Sequence, residues 1–173
     1  EEGPTAVGHV FTQNAGVEIA HKTARSAGID PSLINVVANA DDETIGAALA
    51  RSRAFLWGSE YEGFGLPVLE AMAHGAVPVL APNSSHIAVA GDSGAYAPAP
   101  DSISLAKVLH RLLSDSAYAE ALSNRAVRRA RSLSWRNTAD QTVRAYAQAR
   151  RLAARRANIK TGCQQPVDTV RDW

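Results

Sequence analysis

Cysteine is almost absent: Cys163 stands alone among 173 residues. That excludes an internal disulfide and any four-cysteine metal site, and a lone thiol fits a reducing cytoplasm. Nor does the chain hold a run of about 18 apolar residues, the length a bilayer-spanning helix needs. It opens on Glu1, Glu2, Gly3 and Pro4, not on the basic and apolar segment of a secretory leader, and it lacks an initiating methionine. We therefore expect a cytoplasmic fragment of a longer protein, at most peripheral at the inner face of a membrane. No set of His, Cys, Asp and Glu is clustered as ligands, so neither a metal nor a cofactor is expected.

What remains is a chain with 46% hydrophobic and 20% charged residues, the balance of one globular domain with a real core. Its net charge of +1 hides an asymmetry. Residues 1 to 120 carry 6 Lys/Arg against 14 Asp/Glu, whereas residues 121 to 173 carry 12 against 3. Arginines such as Arg125, Arg128, Arg129, Arg136, Arg144, Arg150 and Arg155 lie along amphipathic helical patterns. Such charges form solvated helix faces, or they attract an anionic membrane surface or an absent partner domain. The basic helices offer only Trp135 and Tyr146 as aromatics, both on an expected core stripe, so no nucleic-acid partner is expected.

Short runs rich in Val, Leu and Ile alternate with helical stretches through the first two-thirds of the chain, the pattern of parallel strands covered by helices. Strands are expected at Thr5 to Val10, Leu33 to Val37, Ala54 to Trp57 and Val77 to Leu80, with a weak one at Ala95 to Tyr96. Helices are expected at Gly16 to Ala27, closed by Gly28; at Asp42 to Arg51; and at Leu66 to His74, closed by Gly75. From Ser102 only helices follow. Leu105, Val108, Leu109, Leu112 and Leu113 share one face, Ser116 is placed to cap a second helix, and Ser134 a third bearing Trp135, Ala139, Val143 and Tyr146. The fold class is α/β: a Rossmann-like parallel sheet flanked by helices, with C-terminal helices. One domain over residues 1 to 157 and a loose tail over 158 to 173 are expected.

The chemistry concentrates in EYEGFGLPVLEAMAHGAVPVL, Glu60 to Leu80. After the strand ending at Trp57, Gly58, Gly63 and Gly65 make a turn whose backbone can approach a ligand closely. Pro67 then suits the first turn of a helix. The unpaired N–H groups there, with the helix dipole, favour an anion such as a diphosphate, and the loop lies beyond the carboxyl end of a strand, where open α/β sheets bind ligands. A glycine turn before a helix also occurs in ordinary strand–helix packing. Glu70 sharpens the pattern: it is the one carboxylate in an apolar helix expected to be buried. It either pairs with an arginine or caps a loop, or it accepts hydrogen bonds from a ribose diol. Glu62, in the loop, is placed to meet a second polyol.

EGFGLPVLEAMAHGAVPVLA resembles the signature of the family-4 retaining glycosyltransferases of the GT-B fold: two glutamates with seven residues between them, a Gly-Phe-Gly-Leu-Pro turn in that interval, and a small-residue helix ending at glycine. The flanks, from INVVANADDETIG through GDSGAYAPAPDSISLAKVLHRLLSD to SWRNTADQTVRAY, are similar as well, covering roughly residues 5 to 148. The resemblance implies the nucleotide-sugar-binding half of a two-domain enzyme that transfers a sugar from a GDP- or UDP-sugar to a hydroxyl in polysaccharide or glycolipid synthesis, with retained configuration. It implies that Glu62 takes the catalytic part, holding donor-sugar hydroxyls as a positioning group and not as a nucleophile. By the same resemblance Gly63, Phe64, Gly65 and Leu66 would present N–H groups to sugar and diphosphate, Glu70 would hold the ribose, and Gly8 would sit near the phosphates. Val36 and Val37, at a strand end, would contact the base.

Three departures accompany the resemblance. The family's diphosphate-clamping arginine and lysine come from a strand–helix unit earlier than TAVGHV, with His9, Lys22 and Arg25 nearby in sequence here. The N-terminal acceptor domain is not in this chain. Ala88 stands where the family usually has a glutamate, in a loop, NSSHIAVAGD, whose His86 is expected near the sugar pocket or exposed. The fragment is thus expected to hold an activated sugar without transferring it alone; the rival expectation is a degenerate, binding-only nucleotide-sugar module.

Overall fold

A computed structural model describes residues 7–59, 61–82 and 84–162, with the backbone alone at 31, 84 and 157–162. The chain divides into two units, Glu1–Arg131 and Ser132–Trp173.

The first unit alternates strand and helix. Strand β1 (Gly8–Thr12) leads into α1 (Asn14–Ser26), and β2 (Ile34–Ala38) into α2 (Asp42–Arg51). Next come β3 (Ala54–Trp57), α3 (Leu66–Ala73), β4 (Val77–Leu80), α4 (Ser84–Ala90) and the short β5 (Ala95–Tyr96). Helices α5 (Ser102–Ser114) and α6 (Ser116–Ser132) close the unit. The strands pair as two sheets, β1 with β2 and β3-β4-β5 in that order, and every pairing is parallel. This is the α/β, Rossmann-like class expected, with parallel strands flanked by helices.

Burial explains why β4 is central. All four of its residues are buried, as expected of a parallel strand covered on both faces. Val77 and Val79 pack with Ala95, Leu112, Ala119 and Leu122, so α5 and α6 cover one face of the sheet. On the other side Leu49, Ala71 and Ala76 form a second cluster with Ile45 and Phe55, which brings in α2 and α3. The expected stripe of α5 is therefore core.

Local chemistry sets the boundaries. Asp41 Oδ1 accepts from Thr44 N at 2.8 Å to open α2, and Asp101 Oδ1 accepts from Ser104 N at 2.8 Å to open α5. Gly28 (φ +67°) and Gly75 (φ +85°) end α1 and α3 in the left-handed conformation, as the sequence suggests. Four details differ. Strand β1 lies further along than Thr5 to Val10, because its register with β2 carries it through Phe11 and Thr12; residues 5 and 6 lie outside the described residues. Leu33 belongs to a 3-10 turn, Pro31–Leu33, so β2 begins at Ile34 and ends at Ala38. The cap of α6 is Asp115, whose Oδ1 accepts from Tyr118 N at 2.9 Å, and Ser116 is already helical. Finally, the segment expected to be a loop around His86 is helix α4.

The second unit consists, among the described residues, of one helix, α7 (Trp135–Gly162), which runs past Asn158. Its residues 163–173 lie outside the described ones. Ser134 caps α7 as expected, accepting from Asn137 N at 3.2 Å. The stripe expected to be core is not: Trp135 is 79% exposed and Tyr146 70%. Among the described residues of its unit, α7 has no second element against which to bury a stripe.

Candidate functional site

The site is built on the crossover from β3 to α3. β3 holds its place through its ladder with β4, so Trp57 presents a fixed strand end from which the loop 58–65 departs. Ser59 Oγ donates to Tyr61 O at 3.0 Å, which folds the first part of the loop back on itself. Gly65 then takes φ +91°, ψ 52°, a left-handed conformation that turns the chain into α3. A β carbon at Gly65 would meet Val68 Cγ2 at 3.7 Å and His86 Cδ2 at 3.9 Å, ordinary contact, so the requirement for glycine is one of backbone conformation.

Helix α3 begins at Leu66 with Pro67 in its first turn, and its first backbone bonds run from Val68 N and Leu69 N to Gly65 O. Among the described residues, the amides of Gly63, Phe64, Gly65 and Leu66 have no backbone acceptor. Four N–H groups in succession at the start of a helix form an anion-receptive turn, reinforced by the helix dipole. Gly63, Phe64 and Leu66 are exposed, while Gly65 is buried.

Of the two glutamates, Glu62 is half-buried and its Oε1 accepts from Trp57 Nε1 at 3.3 Å. Glu70 is exposed, because α3 is not buried all round: Val68, Ala71 and Met72 form its buried face and Glu70 lies off it. The expectation of a buried, unpaired carboxylate at Glu70 is thus corrected, and the desolvation cost that made it conspicuous does not arise. An exposed carboxylate in the second turn of α3 remains open to a ligand's hydroxyls.

Two further expectations shift. Gly8 is the first residue of β1, opposite Ile34, and so lies at the amino end of its strand, whereas ligands in such sheets meet the carboxyl ends. Val36 and Val37 lie inside β2, paired with Val10 and Phe11, and the strand ends one residue later at Ala38. Past that end comes Asn39, the only non-glycine residue with positive φ (49°) among those described. Its Nδ2 donates to Asn14 Oδ1 at 2.9 Å and its backbone N to Thr12 O at 2.8 Å, tying it to the start of α1 and the end of β1. Asparagine tolerates this conformation better than most residues, the one signal by which the sequence could have marked it.

Of the two places the sequence leaves open for His86, near the sugar pocket or exposed, the structure removes the second. His86 is fully buried on α4, with its ring against the Gly65 turn, and Nδ1 lies 3.0 Å from Ala81 O. Since a carbonyl only accepts, that nitrogen carries the proton. Ala88, two residues on, is exposed. A hollow of about 380 Å³ lined by Arg51, Arg53, Gly75, Ser116 and Glu120 lies at the other end of the sheet, where β3 and β4 begin. Arg53 is engaged there with the last turn of α5, donating to Leu113 O at 3.1 Å.

Comparison with known proteins places the chain in a family and a fold. The chain is 38% identical to the O-antigen chain mannosyltransferase B of Escherichia coli over 106 residues, 61% of this chain and 28% of that protein. It is 36% identical to the MMP alpha-(1->4)-mannosyltransferase of Mycolicibacterium hassiacum over 123 residues, 68% of this chain and 29% of that one. The chain thus spans less than a third of the length of these curated relatives. Its fold matches sucrose-phosphate synthase from Thermosynechococcus elongatus with a TM-score of 0.71 at 19% identity, covering 87% of this chain and 47% of the synthase. Residues 18–129, more than half of the chain and including the whole β3-to-α3 site, match the family Glycosyl transferases group 1. The chain belongs to that family of glycosyltransferases.

Proposed function

We propose that this chain is the donor-binding half of a retaining, GT-B-type glycosyltransferase that moves a hexosyl group from a nucleotide-diphosphate sugar to a hydroxyl of a growing polysaccharide or glycolipid. The observation that carries the reading is the row of four amides, Gly63 to Leu66, at the start of α3, without backbone acceptors among the described residues. Flanking that row are Glu62 in the loop and Glu70 in the second turn.

The roles follow from chemistry. As the bond between sugar and diphosphate breaks, negative charge grows on the diphosphate and positive charge on the ring. The amides of Gly63, Phe64, Gly65 and Leu66 supply fixed donors to the first, and preorganised donors of this kind contribute about 3 to 4 kcal/mol each to transition-state stability. Glu62 holds hydroxyls of the sugar ring and Glu70 the ribose diol. The base lies past the end of β2, near Ala38 and Asn39, and Gly8 has no part. Mannose is the favoured sugar, since the relatives named above are mannosyltransferases, and GDP the matching nucleotide.

The acceptor is bound by a second domain of the same polypeptide, in line with the much greater length of the relatives. No helix among the described residues is long and apolar enough to cross a membrane. The arginines of α6 and α7 supply attraction to an anionic inner-leaflet surface, where a lipid-linked acceptor would be met from the cytoplasm.

Calorimetric titration with GDP, UDP, GDP-mannose and UDP-glucose tests the donor site. Glu70→Ala is expected to weaken binding of the preferred nucleotide by about tenfold, or 1.4 kcal/mol. Unchanged affinity in the variant removes Glu70 from the ribose, and no binding of any nucleotide by the unsubstituted chain overturns the donor-site reading.

A further inference from the structure

The bond between Trp57 and Glu62 joins two parts of the site that differ in rigidity. Trp57 is the last residue of β3, paired with Leu80 of the fully buried β4. Its half-buried indole is stacked on Phe55, ring centroids 5.5 Å apart and planes 17° from parallel. Both rings project from the same face of the strand, two residues apart, so the indole is braced by the sheet. Glu62 comes from the loop between Gly58 and Gly65, which no ladder holds. When the Nε1–H of Trp57 meets Glu62 Oε1 at 3.3 Å, the indole is the reference and the carboxylate is what it orients.

We propose that Trp57 is a positioning residue that aims Glu62 at the hydroxyls of the bound sugar. An indole donates and cannot accept, and it carries no charge. It therefore fixes one carboxylate oxygen without neutralising the group or competing for its other lone pairs, so Oε2 stays an acceptor for the ligand. An arginine or lysine in its place would hold the carboxylate as an ion pair. The consequence is selective: Trp57 acts on the part of the ligand that Glu62 touches, the sugar, and not on the nucleotide diphosphate. This inference rests on reading Glu62 as a sugar contact.

Trp57→Phe keeps a ring to stack on Phe55 and removes the N–H. In calorimetric titrations it is expected to leave GDP affinity unchanged and to weaken GDP-mannose by about three- to tenfold, the effect of one hydrogen bond. Added to Glu62→Gln, it is expected to cause no further loss, since both substitutions act on one interaction. Equal weakening of GDP and GDP-mannose, or full additivity with Glu62→Gln, overturns the proposal in favour of a packing role. A second measurement does not depend on binding: the indole ¹H–¹⁵N resonance of Trp57 in the free chain is expected to move on Glu62→Gln. A resonance that does not respond overturns the proposal alone. A Glu62→Gln variant with unaltered GDP-mannose affinity, or an unsubstituted chain that binds no conjugate, overturns the reading of Glu62 and the proposal with it.

Discussion

The guanidinium of Arg129 reaches across 41 residues of sequence to donate from Nη2 to the carbonyl of Ala88 at 2.6 Å. Its Nε donates to the neighbouring carbonyl of Val89. Two carbonyls at the end of α4, which the helix itself cannot satisfy, are thereby capped by one cation placed where the helix dipole is negative. Beside it the Tyr96 hydroxyl donates to Gly91 O at 2.9 Å, and burial pushes that phenol above its ordinary pKa. Arg129 belongs to the arginine-rich stretch that reads as a solvated helix face, yet it fastens the helix that carries His86 beneath the Gly65 turn. Arg129→Ala is expected to destabilise the chain by about 2 to 3 kcal/mol, the scale of hydrogen bonds to a charged group. Arg129→Lys, with one compact donor head, should recover only part of this. Urea denaturation followed by circular dichroism measures both, and Arg128→Ala, exposed on the same helix, serves as the comparison.

Gly65 and Gly63 offer a second contrast. Gly65 sits at φ +91° with room for a β carbon, whereas nothing lies within 4 Å of a β carbon at Gly63, whose φ is not positive. Gly65→Ala is expected to cost about 1 to 2 kcal/mol of stability through backbone strain alone. It should also tilt the row of amides at the start of α3 and weaken nucleotide binding. Gly63→Ala should stay within about 0.5 kcal/mol. Equal stability losses in the two variants would show that the left-handed turn is not what Gly65 provides.

Where the sequence read true, a local rule and the tertiary environment agreed. Strands β3, β4 and β5 have the expected bounds because short apolar runs are framed by Arg53, Gly58, Gly75 and Gly94, and each run is covered by a helix. The β3-to-α3 turn was legible because glycine and proline have few uses other than the ones found there. Where it misread, the deciding contact lay far off in sequence. The segment around His86 reads as a loop in sequence, whereas in the fold it is helix α4, whose C-terminal end is capped by Arg129, 40 residues from Val89. Glu70 was expected to be buried on the apolarity of its neighbours, but the buried face of α3 is defined by β4 and α4, which composition does not show. Trp135 and Tyr146 carry a genuine helical period, and period says that a face is apolar, not that anything covers it.

Acid should loosen the helix starts first. The bond from Ser104 N holds the Asp101 carboxyl below its ordinary pKa, the Thr44 bonds do the same for Asp41, and those from Ser32 for Asp30. A carboxyl whose pKa is lowered on folding adds stability that is fully present above its unfolded pKa. That stability is lost as pH falls through the folded value. The chain is therefore expected to hold a constant urea midpoint from neutrality down to about pH 5 and to lose stability below about pH 4. Asn at 41 and 101 keeps a capping acceptor without a titrating group. The double substitution Asp41→Asn with Asp101→Asn should flatten the acid limb and leave the neutral plateau little changed. An acid limb of undiminished slope would assign it to other carboxylates.

Two helical residues of similar appearance should respond oppositely to truncation. Leu112 on α5 is completely buried and packs with Val77, Val79 and Leu122. Trp135 on α7 is larger and more hydrophobic, yet 79% of its surface meets solvent. Leu112→Ala removes buried methyl groups and leaves a cavity against a strand that cannot collapse into it, at an expected cost of about 2 to 5 kcal/mol. Trp135→Ala gives up little buried surface, so its effect should stay within about 0.5 kcal/mol. Circular dichroism is the appropriate probe, since the second substitution removes a fluorophore. A loss above about 1 kcal/mol for Trp135→Ala would mean that the indole is covered in solution, and the exposed stripe of α7 would then be core after all.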